Sequence, residues 1–427
     1  MSDNESIIWG LIRNHQEKKA RKRMLENIDV ENENRKAIVR YQPSQIEAFF
    51  SPYDPRGNII VSGGDQTLRN RAVLGAVHAI RSNNVPTIVL HIGNSLLEGL
   101  IGQQFSNATI FNRNTARYEP FMGLSNLEIN RIIQSSATKM CEIRSGAQYY
   151  IEGITDFIRT KNIQPYCEMY ITCPHLELFD KIDEAEMRGS ISADVAQRIK
   201  TSLGQGQGQK SDVENYFNVL RHQAQGLIAP RSNISKSTSL RNVINQKGIA
   251  VVDVGSNTNE LLINLLVEDL TSALHTGIEI CVVLDGIKIS SSEKLERFVQ
   301  TSGTTINSII STDDIYSMLN ADDNLFASTL GKSRKTVIFQ HQSGLTCTKI
   351  ADFIGHYEKL EINRQYTHGT NHQSMFTVIP GQMDNDTIGV TPKREHRVRP
   401  EEINSMAKDE VYIVDSSNNE LAFTQVI

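Results

Sequence analysis

NIIVSGGDQTLRN, residues Asn58 to Asn70, is the stretch around which the rest of the chain is organised. Its opening apolar run is typical of a short buried β-strand, and Gly63 and Gly64 supply a turn. Apolar residues at helical spacing follow from Ala72 to Ile80. The stretch therefore predicts a strand, a loop and a helix in direct succession.

This layout is that of a phosphate-binding loop in which the working residues are replaced. A loop of pattern GxxxxGK[ST] uses backbone N–H groups to enclose phosphates, a lysine to reach the outer phosphates and a hydroxyl to hold magnesium. Counted from Gly63, these last positions fall on Leu68, Arg69 and Asn70. An ordinary strand-to-helix turn is the alternative interpretation. The candidate nucleotide-binding loop comprises Gly63, Gly64, Asp65, Gln66, Thr67, Leu68, Arg69 and Asn70.

The composition excludes several classes of protein. The 427 residues carry 44 Lys+Arg against 49 Asp+Glu, so no overall charge favours a nucleic-acid binder and any DNA contact must be local. The five cysteines include no CxxC pair, which indicates buried thiols in a reducing compartment. No apolar run approaches the roughly 18 residues needed to cross a bilayer. We therefore expect a cytoplasmic protein.

The N-terminal segment from Ser6 to Met24 joins an apolar cluster containing the only tryptophan, Trp9, to a basic helical sequence. Such a combination can rest on an anionic membrane surface or on another protein, and a solvated leading helix is the alternative. We expect any association with the inner face of the cell membrane to be peripheral, through this helix or through a partner.

Further apolar runs predict a parallel sheet. Pro86 to Ile92 follows the first helix, and this order of strand, helix and strand indicates parallel pairing with a right-handed crossover. Continuous apolar runs separated by helical segments are typical of a sheet covered on both faces. The fold class is therefore α/β, with a doubly wound parallel sheet. The later predicted strands are Gly248 to Val254, Ile278 to Leu284, Thr304 to Thr312 and Lys335 to His341.

The pattern changes between the two halves of this sheet. From Pro165 to Pro230 apolar residues recur at helical spacing, with a flexible joint at Gly204 to Gln209 and a capping box at Ser211 to Glu214. We predict an inserted all-α domain that can be excised without unfolding the sheet. The predicted domains are residues 1–56 (basic helix and connector), 57–164 (first part of the nucleotide-binding domain), 165–235 (inserted all-α domain) and 236–427 (second part, with a C-terminal helix and strands).

The order of these parts resembles the cytoplasmic region of conjugative coupling proteins, the TraG/TraD-type motors of type IV secretion. These are RecA-like P-loop ATPases of the group that holds the FtsK and HerA translocases. The resemblance covers roughly Gly57 to the C-terminus. Besides the loop strand, it rests on IVLHIGNSLLEGL (Ile88 to Leu100), GAQYYIEGITDFI (Gly146 to Ile158), VVLDGIK (Val282 to Lys288), SIISTDD (Ser308 to Asp314) and REHRVRPEEINSMAKDEVYIV (Arg394 to Val414).

The resemblance implies a RecA-like fold with the loop glycines and Asp285 at the carboxyl ends of neighbouring strands. It also implies work in a homomeric or heteromeric ring, by analogy a hexamer. The implied partners are secretion or conjugation proteins, their transfer substrates and single-stranded DNA.

The same resemblance makes the departures informative. Asp285 matches the family's magnesium aspartate of the Walker B strand, but Gly286 stands where a glutamate polarises water. Ser311 or Thr312 stands at the position of the polar sensor, usually glutamine. Together with the changed lysine and hydroxyl positions, these replacements indicate a chain that no longer hydrolyses nucleotide. We therefore assign no catalytic residue and expect binding of ATP and magnesium to be weakened.

Two further candidates come from the second half of the chain. Asp253, after GIAVV, has the appearance of a Walker B aspartate, but the family order favours Asp285. Arg334 belongs to a short basic patch before a strand and is a candidate arginine finger acting across a ring interface. A solvated patch is the alternative for Arg334.

Four of the histidines, His341, His356, His368 and His372, gather near the C-terminal third. His368 and His372 lie in the string THGTNHQ, which is predicted to be a polar loop and has no companion cysteine or carboxylate at ligand spacing, so no metal site is predicted.

Two classes of function are compatible with the sequence. The first is a non-enzymatic receptor or scaffold, a pseudo-ATPase that recruits secretion substrates or completes a heteromeric ring. The second is an active ATP-driven translocase of DNA or protein that uses a non-standard loop. Hydrolysis measured with and without single-stranded DNA separates them.

Overall fold

The structure is a computed structural model built around one large sheet flanked by helices. The residues it describes are 2–50, 57–112, 114–161, 163–228, 237–274, 277–301, 306–370 and 382–427. The strands in these ranges are β1 (Ile38–Arg40), β2 (Asn58–Ser62), β3 (Thr87–His91), β4 (Ala108–Phe111), β5 (Arg117–Tyr118), β6 (Ser237–Thr238), β7 (Ile249–Asp253), β8 (Ile280–Asp285), β9 (Ile306–Thr312), β10 (Ser333–Ile338), β11 (His356–Thr370), β12 (Gln382–His396), β13 (Glu410–Asp415) and β14 (Glu420–Gln425).

Helices separate most of the strands, as the sequence pattern indicates. They are α1 (Ser2–Lys36), α2 (Gln66–Arg81), α3 (Ser95–Gln104), α4 (Asn126–Ser136), α5 (Ala147–Arg159), α6 (Cys167–Ile171), α7 (Leu178–Met187), α8 (Ala193–Gln205), α9 (Lys210–Gln223), α10 (Leu240–Asn245), α11 (Glu260–Leu274), α12 (Glu293–Thr301), α13 (Ile315–Met318), α14 (Asp323–Gly331), α15 (Gly344–Ile354) and α16 (Pro400–Ser405).

The main sheet has the order β1-β14-β13-β10-β2-β9-β8-β3-β7-β4. The strands from β10 to β4 in this order are all parallel, and β13 and β14 extend the sheet by antiparallel pairing. The predicted α/β fold with a doubly wound, mostly parallel sheet is confirmed.

Strand order differs from the sequence-based expectation in one respect. β2 and β8, which carry the loop glycines and Asp285, are separated by β9 and are not neighbours, and β2 is likewise not paired with β3. Both strands still end at the same edge because they run parallel. Order along the chain does not fix order in a sheet, since later strands insert between earlier ones.

Both faces of the sheet are buried, which explains the continuous apolar runs. Successive residues alternate between faces. Ile60 and Leu284 belong to the apolar cluster that contains α11, whereas Val61 and Val283 belong to the cluster that contains α2. Each helix layer thereby covers one face of the strands that position the site.

Residues 165–228 contain only helices among the residues described there, α6 to α9. Their apolar side chains, such as Tyr170 and Phe217, share one continuous cluster with Ile88 of the sheet. β5 pairs with β6 in a separate two-stranded sheet, so the chain at Tyr118 lies beside the chain at Thr238. The division into domains stays a prediction, but this shared core is a reason to expect coupling between the helices and the sheet.

One local prediction in this region was wrong. Ser211 lies inside α9, which begins at Lys210, so it does not cap the helix. The glycine-rich joint is tightly packed at Gly206, where an added Cβ atom would come 2.3 Å from the backbone nitrogen of Tyr150 in α5, but nothing lies within 4 Å of a Cβ atom added to Gly204 or Gly208. Close approach of the backbone explains the glycine at position 206, and the flexibility of the joint stays a prediction.

The C-terminal third contains a long hairpin that the sequence analysis did not predict. β11 and β12 pair antiparallel from His356↔His396 to Thr370↔Gln382, so His368 lies in a strand and not in a loop. His372 lies outside the described residues, as does the side chain of Trp9 in α1. In the described part of the chain, no helix combines the length and apolar character required to cross a membrane.

α1 is held against the hairpin near its C-terminal end. The Asn32 side chain donates to the carbonyl oxygen of Leu360 at 3.1 Å and accepts from the Leu360 backbone N–H at 2.7 Å. The Arg397 guanidinium donates to the carbonyl oxygens of Lys36 and Ala37. The base of the hairpin is therefore anchored to the start of the chain.

Candidate functional site

The carboxyl edge of the parallel strands gathers most of the predicted site residues. Ser62 of β2 pairs in register with Thr312 of β9, and Ser311 pairs with Asp285 of β8. Arg334 lies at the other edge, since the start of β10 pairs with the start of β2. The structure thus brings the loop, the Walker B position and the sensor position together and does not bring Arg334 to them within one chain.

The loop after β2 is short, and the backbone N–H groups of both of its glycines are already hydrogen-bonded. Gly63, Gly64 and Asp65 alone separate β2 from α2. The Gly63 N–H donates to the Thr312 carbonyl oxygen at 3.0 Å, and the Gly64 N–H donates to the Gln340 carbonyl oxygen at 2.9 Å. A phosphate-binding loop directs such groups at its ligand. Here both of them bind neighbouring strand ends.

Both glycines are required by the backbone. Gly63 has φ +84° and Gly64 has φ +66°, the left-handed region that side chains with a Cβ atom rarely adopt. A Cβ atom on Gly63 would also lie 2.6 Å from the Gln340 carbonyl oxygen and from the His341 ring. The double glycine that the sequence offers as a phosphate loop is therefore explained by a tight turn.

A carboxylate occupies the N-terminus of α2, where a phosphate binds in P-loop proteins. Asp65 caps the helix, with its Oδ1 accepting from the Leu68 backbone N–H at 2.9 Å. This cap places negative charge at the positive end of the helix dipole. A phosphate approaching this end would meet a carboxylate.

Arg69 folds back onto the loop instead of pointing out of it. Its Nη1 donates to the carbonyl oxygen of Gly64 at 2.7 Å and to that of Gly63 at 3.3 Å. The positive charge at the lysine position is thereby bound to the loop's own carbonyl groups.

A buried side-chain network joins the hydroxyl position to the Walker B aspartate. The Asn94 amide nitrogen donates to Oδ1 of Asn70 at 2.8 Å and to Oδ2 of Asp285 at 2.6 Å. All three side chains are buried. Asn94 also caps α3 by accepting from the Leu97 N–H at 3.1 Å. An amide group thus lies between the two positions that hold magnesium in an active ATPase.

The positions of the missing glutamate and of the sensor are also shaped by the backbone. Gly286 has φ +70°, and its N–H donates to the Ser311 carbonyl oxygen at 2.9 Å. The Ser311 side chain is fully buried, and its Oγ has no hydrogen-bond partner among the described residues. The Thr312 hydroxyl donates to Asp313 at 3.3 Å. Neither side chain at the sensor position is an extended polar group like glutamine.

Two polar contacts at this edge escaped the sequence analysis, because a histidine at a strand end carries no distinctive signal. The His341 Nδ1–H donates to the Phe339 carbonyl oxygen at 2.8 Å, so Nε2 accepts from the Ser62 hydroxyl at 2.8 Å. Burial lowers the pKa of His341, which keeps the ring neutral. With a carbonyl group behind the ring and no carboxylate, this pair has a structural role.

Asp253 accepts hydrogen bonds from two neighbouring loops. Its Oδ1 accepts from the N–H groups of Gly93 and Gly255 at 3.1 Å and 2.9 Å. β9, β8 and β3 separate its strand from β2. This distance across the sheet favours Asp285 over Asp253 for the Walker B position, as the family order does.

A cavity of about 440 Å³ opens beside the loop. Asp65, Asp313 and Asp314 line it, against one lysine, Lys408. Asp314 is held by the Thr346 hydroxyl at 2.9 Å. The excess of carboxylates lowers the local potential, which disfavours a polyphosphate.

The parallel α/β sheet, with a glycine turn after β2 and an aspartate at the end of β8 two places away, has the arrangement of a RecA-like fold. Among solved structures, the chain is similar to the unbound bacterial conjugative coupling protein TrwBdeltaN70, with a TM-score of 0.50, 10% identity and 90% of each chain covered. It is similar to plasmid coupling protein TrwB in complex with a non-hydrolysable ATP analogue, with a TM-score of 0.50, 12% identity and 90% and 89% of the two chains covered. These likenesses confirm the predicted RecA-like fold.

VirB4 of Thermoanaerobacter pseudethanolicus is more distant, with a TM-score of 0.35, 10% identity and 70% and 80% of the two chains covered. No protein-family model and no curated protein sequence matches the chain.

Proposed function

We propose that this protein is a coupling-protein-like factor of type IV secretion that has a RecA-like fold and does not hydrolyse nucleotide. It acts as a receptor or scaffold for substrates of conjugative DNA or protein transfer. The observation that carries the proposal is the Asn94 amide, which hydrogen-bonds both Asn70 and Asp285.

The chemistry of magnesium explains why this contact matters. In P-loop ATPases a hydroxyl and an aspartate hold the ion that bridges the phosphates and neutralises the developing charge. In this chain a neutral N–H donor satisfies Asp285 and fills the place between the two positions. A magnesium ion would have to displace Asn94, which also caps α3.

The loop, which would bind the phosphates, supports the same conclusion. The N–H groups of Gly63 and Gly64 are hydrogen-bonded within the chain, Arg69 is bound to the loop carbonyls, and Asp65 caps the helix. Removing one preorganised contact to a transition state typically costs about 10² to 10³ in rate. Several are replaced here, so turnover at a useful motor rate is not expected.

The secretion context rests on resemblance. The sequence motifs run in the order found in coupling proteins, and the overlap with TrwB in fold covers 90% of the chain. The proposed partners are therefore secretion or conjugation proteins, their transfer substrates and single-stranded DNA. Assembly is proposed to be a ring that contains copies of this chain or of an intact ATPase.

The direct test is a hydrolysis assay of the full chain with and without single-stranded DNA. We expect phosphate release at the buffer rate, unchanged in Asp285→Ala. Turnover that DNA stimulates and that Asp285→Ala abolishes would overturn the proposal and establish the active translocase instead.

The scaffold role has a separate test. Analytical ultracentrifugation of the chain mixed with an intact coupling ATPase should show a mixed assembly. Sedimentation of the two proteins as separate species would contradict the heteromeric ring.

A further inference from the structure

Three side chains with metal-binding atoms meet at the base of the β11–β12 hairpin. Asp352 lies in the last turn of α15, His356 is the first residue of β11, and His396 is the last residue of β12. One ligand atom from each residue lies within 4.8 Å of the other two. Nε2 of His396 lies 2.9 Å from Oδ1 of Asp352, and Nε2 of His356 lies 3.9 Å from the same oxygen.

The backbone fixes this arrangement. His356 and His396 are direct cross-strand partners, so their side chains share one face of the hairpin. The Arg397 N–H donates to the Gly355 carbonyl oxygen at 2.9 Å, which closes the turn between α15 and β11. The three residues therefore come from three elements whose relative positions are set independently of any ion.

Two imidazoles and a carboxylate form a donor set for a divalent transition metal. Zinc binds nitrogen and carboxylate oxygen at about 2.0 to 2.1 Å, so tetrahedral ligand atoms lie roughly 3.4 Å apart. The Asp352 side chain is 54% exposed and is held by His396. The required spacing is reached by side-chain movement, in which the His396–Asp352 pair opens from 2.9 Å and the His356–Asp352 pair closes from 3.9 Å.

The contacts of His356 define what binding must change. The rings of His356 and His396 are tilted by 32° with centroids 4.3 Å apart, and Nη2 of Arg394 lies 3.5 Å from Nδ1 of His356. A metal on Nε2 leaves the proton on Nδ1, so Arg394 has to release this long contact.

We propose that Asp352, His356 and His396 form a binding site for a divalent transition-metal ion, with zinc as the preferred occupant and a fourth position open to water. The ion would join the end of α15 to both strands of the hairpin. Because Arg397 also anchors α1 at this base, the metal would clamp three parts of the chain together. This role is independent of nucleotide hydrolysis.

The test is a zinc titration of the full chain, purified without a histidine tag and stripped with a chelator. Calorimetry should show saturable binding of one zinc ion at this site. His356→Gln, His396→Gln and Asp352→Asn should each weaken binding by at least about 10-fold, since even outer-shell partners of a metal cost that much. His222→Gln, which changes an exposed histidine on α9, should leave the affinity unchanged.

Two further measurements separate ligation from a folding defect. Zinc should raise the melting temperature of the parent chain and not that of His396→Gln, because only a bound ligand stabilises by mass action. Arg394→Gln should tighten zinc binding several-fold, because it removes a competing donor and a like charge. The proposal is overturned if the parent shows no saturable binding, or if both histidine variants bind zinc as the parent does.

Discussion

The carboxyl edge of the main sheet and the base of the β11–β12 hairpin differ in how their polar groups are used. At the sheet edge the loop N–H groups, Arg69 and Asp285 all bind other groups of the same chain. At the hairpin base the tilted rings of His356 and His396 lie beside Asp352, and one ligand atom from each of the three residues lies within 4.8 Å of the other two. The polar groups of a site that matches a sequence motif can therefore be bound within the chain, whereas a site without a motif can offer ligand atoms to an ion.

The polar groups at the sheet edge obtain their hydrogen-bond partners from within the chain. Buried polar groups must have such partners, because an unpaired one costs about 1 to 3 kcal/mol and more when charged. Asn94 supplies the partner for Asp285, and the strand ends supply it for the loop. The same contacts that stabilise the fold oppose the binding of nucleotide and magnesium.

The largest effect is expected from adding a methyl group to the tight turn. Gly63→Ala should lower the free energy of unfolding by about 2 to 5 kcal/mol, because a left-handed backbone costs roughly 1 to 2 kcal/mol and overpacking roughly 1 to 3 kcal/mol. Gly286→Ala is the matched control, since it has a similar φ but no atom within 4 Å of the added Cβ. Gly286→Ala should lower the free energy of unfolding only by the cost of the left-handed backbone. Equal losses in urea unfolding would show that the turn is not packed as described.

The next effect comes from the network at Asp285. Asn94→Ala should destabilise the chain by about 1 to 3 kcal/mol because it leaves a buried aspartate without its donor. Gln103→Ala, an exposed change on the same helix, should stay within about 0.5 kcal/mol. If Asn94→Ala behaves like the control in chemical denaturation, the buried bridge does not contribute as proposed.

A pH measurement extends the comparison to Glu119, a buried carboxylate beside Arg117. Burial raises its pKa to about 7, an effect only partly offset by the Cys167 N–H and by Arg117. The folded chain then binds a proton that the unfolded chain releases near its ordinary pKa. The stability that this proton contributes is present below about pH 4.5 and is lost as the pH rises to about 7.

Glu119→Gln should remove this part of the pH dependence, on the order of 3 kcal/mol between those two pH values. The difference between parent and variant isolates the group from other titrating residues. Parallel stability curves for the two proteins would contradict the raised pKa.

Features that leave a pattern within one segment of the sequence could be predicted, and features that depend on contacts between distant segments could not. The apolar runs of β2, β3, β7 and β8 predicted the parallel sheet, because burial on both faces leaves a continuous pattern in each strand. Placement of β9 between β2 and β8 was not predicted, since that order depends on contacts between distant segments. Asp285 was found through its place in a known order of motifs, but nothing local to it showed that Asn94 would satisfy it.

The cluster at the hairpin base was also only partly predictable from the sequence. Asp352 and His356 are four residues apart across the end of α15, a spacing that was available in the sequence. The third residue, His396, joins them only through the register of two long strands. That register could not be predicted, because the strands are separated by residues 371–381, a connection longer than the two-residue loops whose turn type fixes the pairing.

The smallest effect on stability is expected at Arg69. The same variant tests whether the Arg69 guanidinium alone prevents the loop from binding nucleotide. Arg69→Met keeps most of the side chain's packing and removes its hydrogen bonds to Gly63 and Gly64, at a cost of about 0.5 to 1.5 kcal/mol in urea unfolding. ATP affinity should not appear in this variant, because the loop N–H groups remain bound to Thr312 and Gln340 and Asp65 still caps α2. Arg71→Met, on the same helix, is the control for general effects of charge on nucleotide binding. Saturable ATP binding by Arg69→Met alone would show that the guanidinium blocks an otherwise intact loop, and the sheet edge would then be an inhibited site and not a rebuilt one.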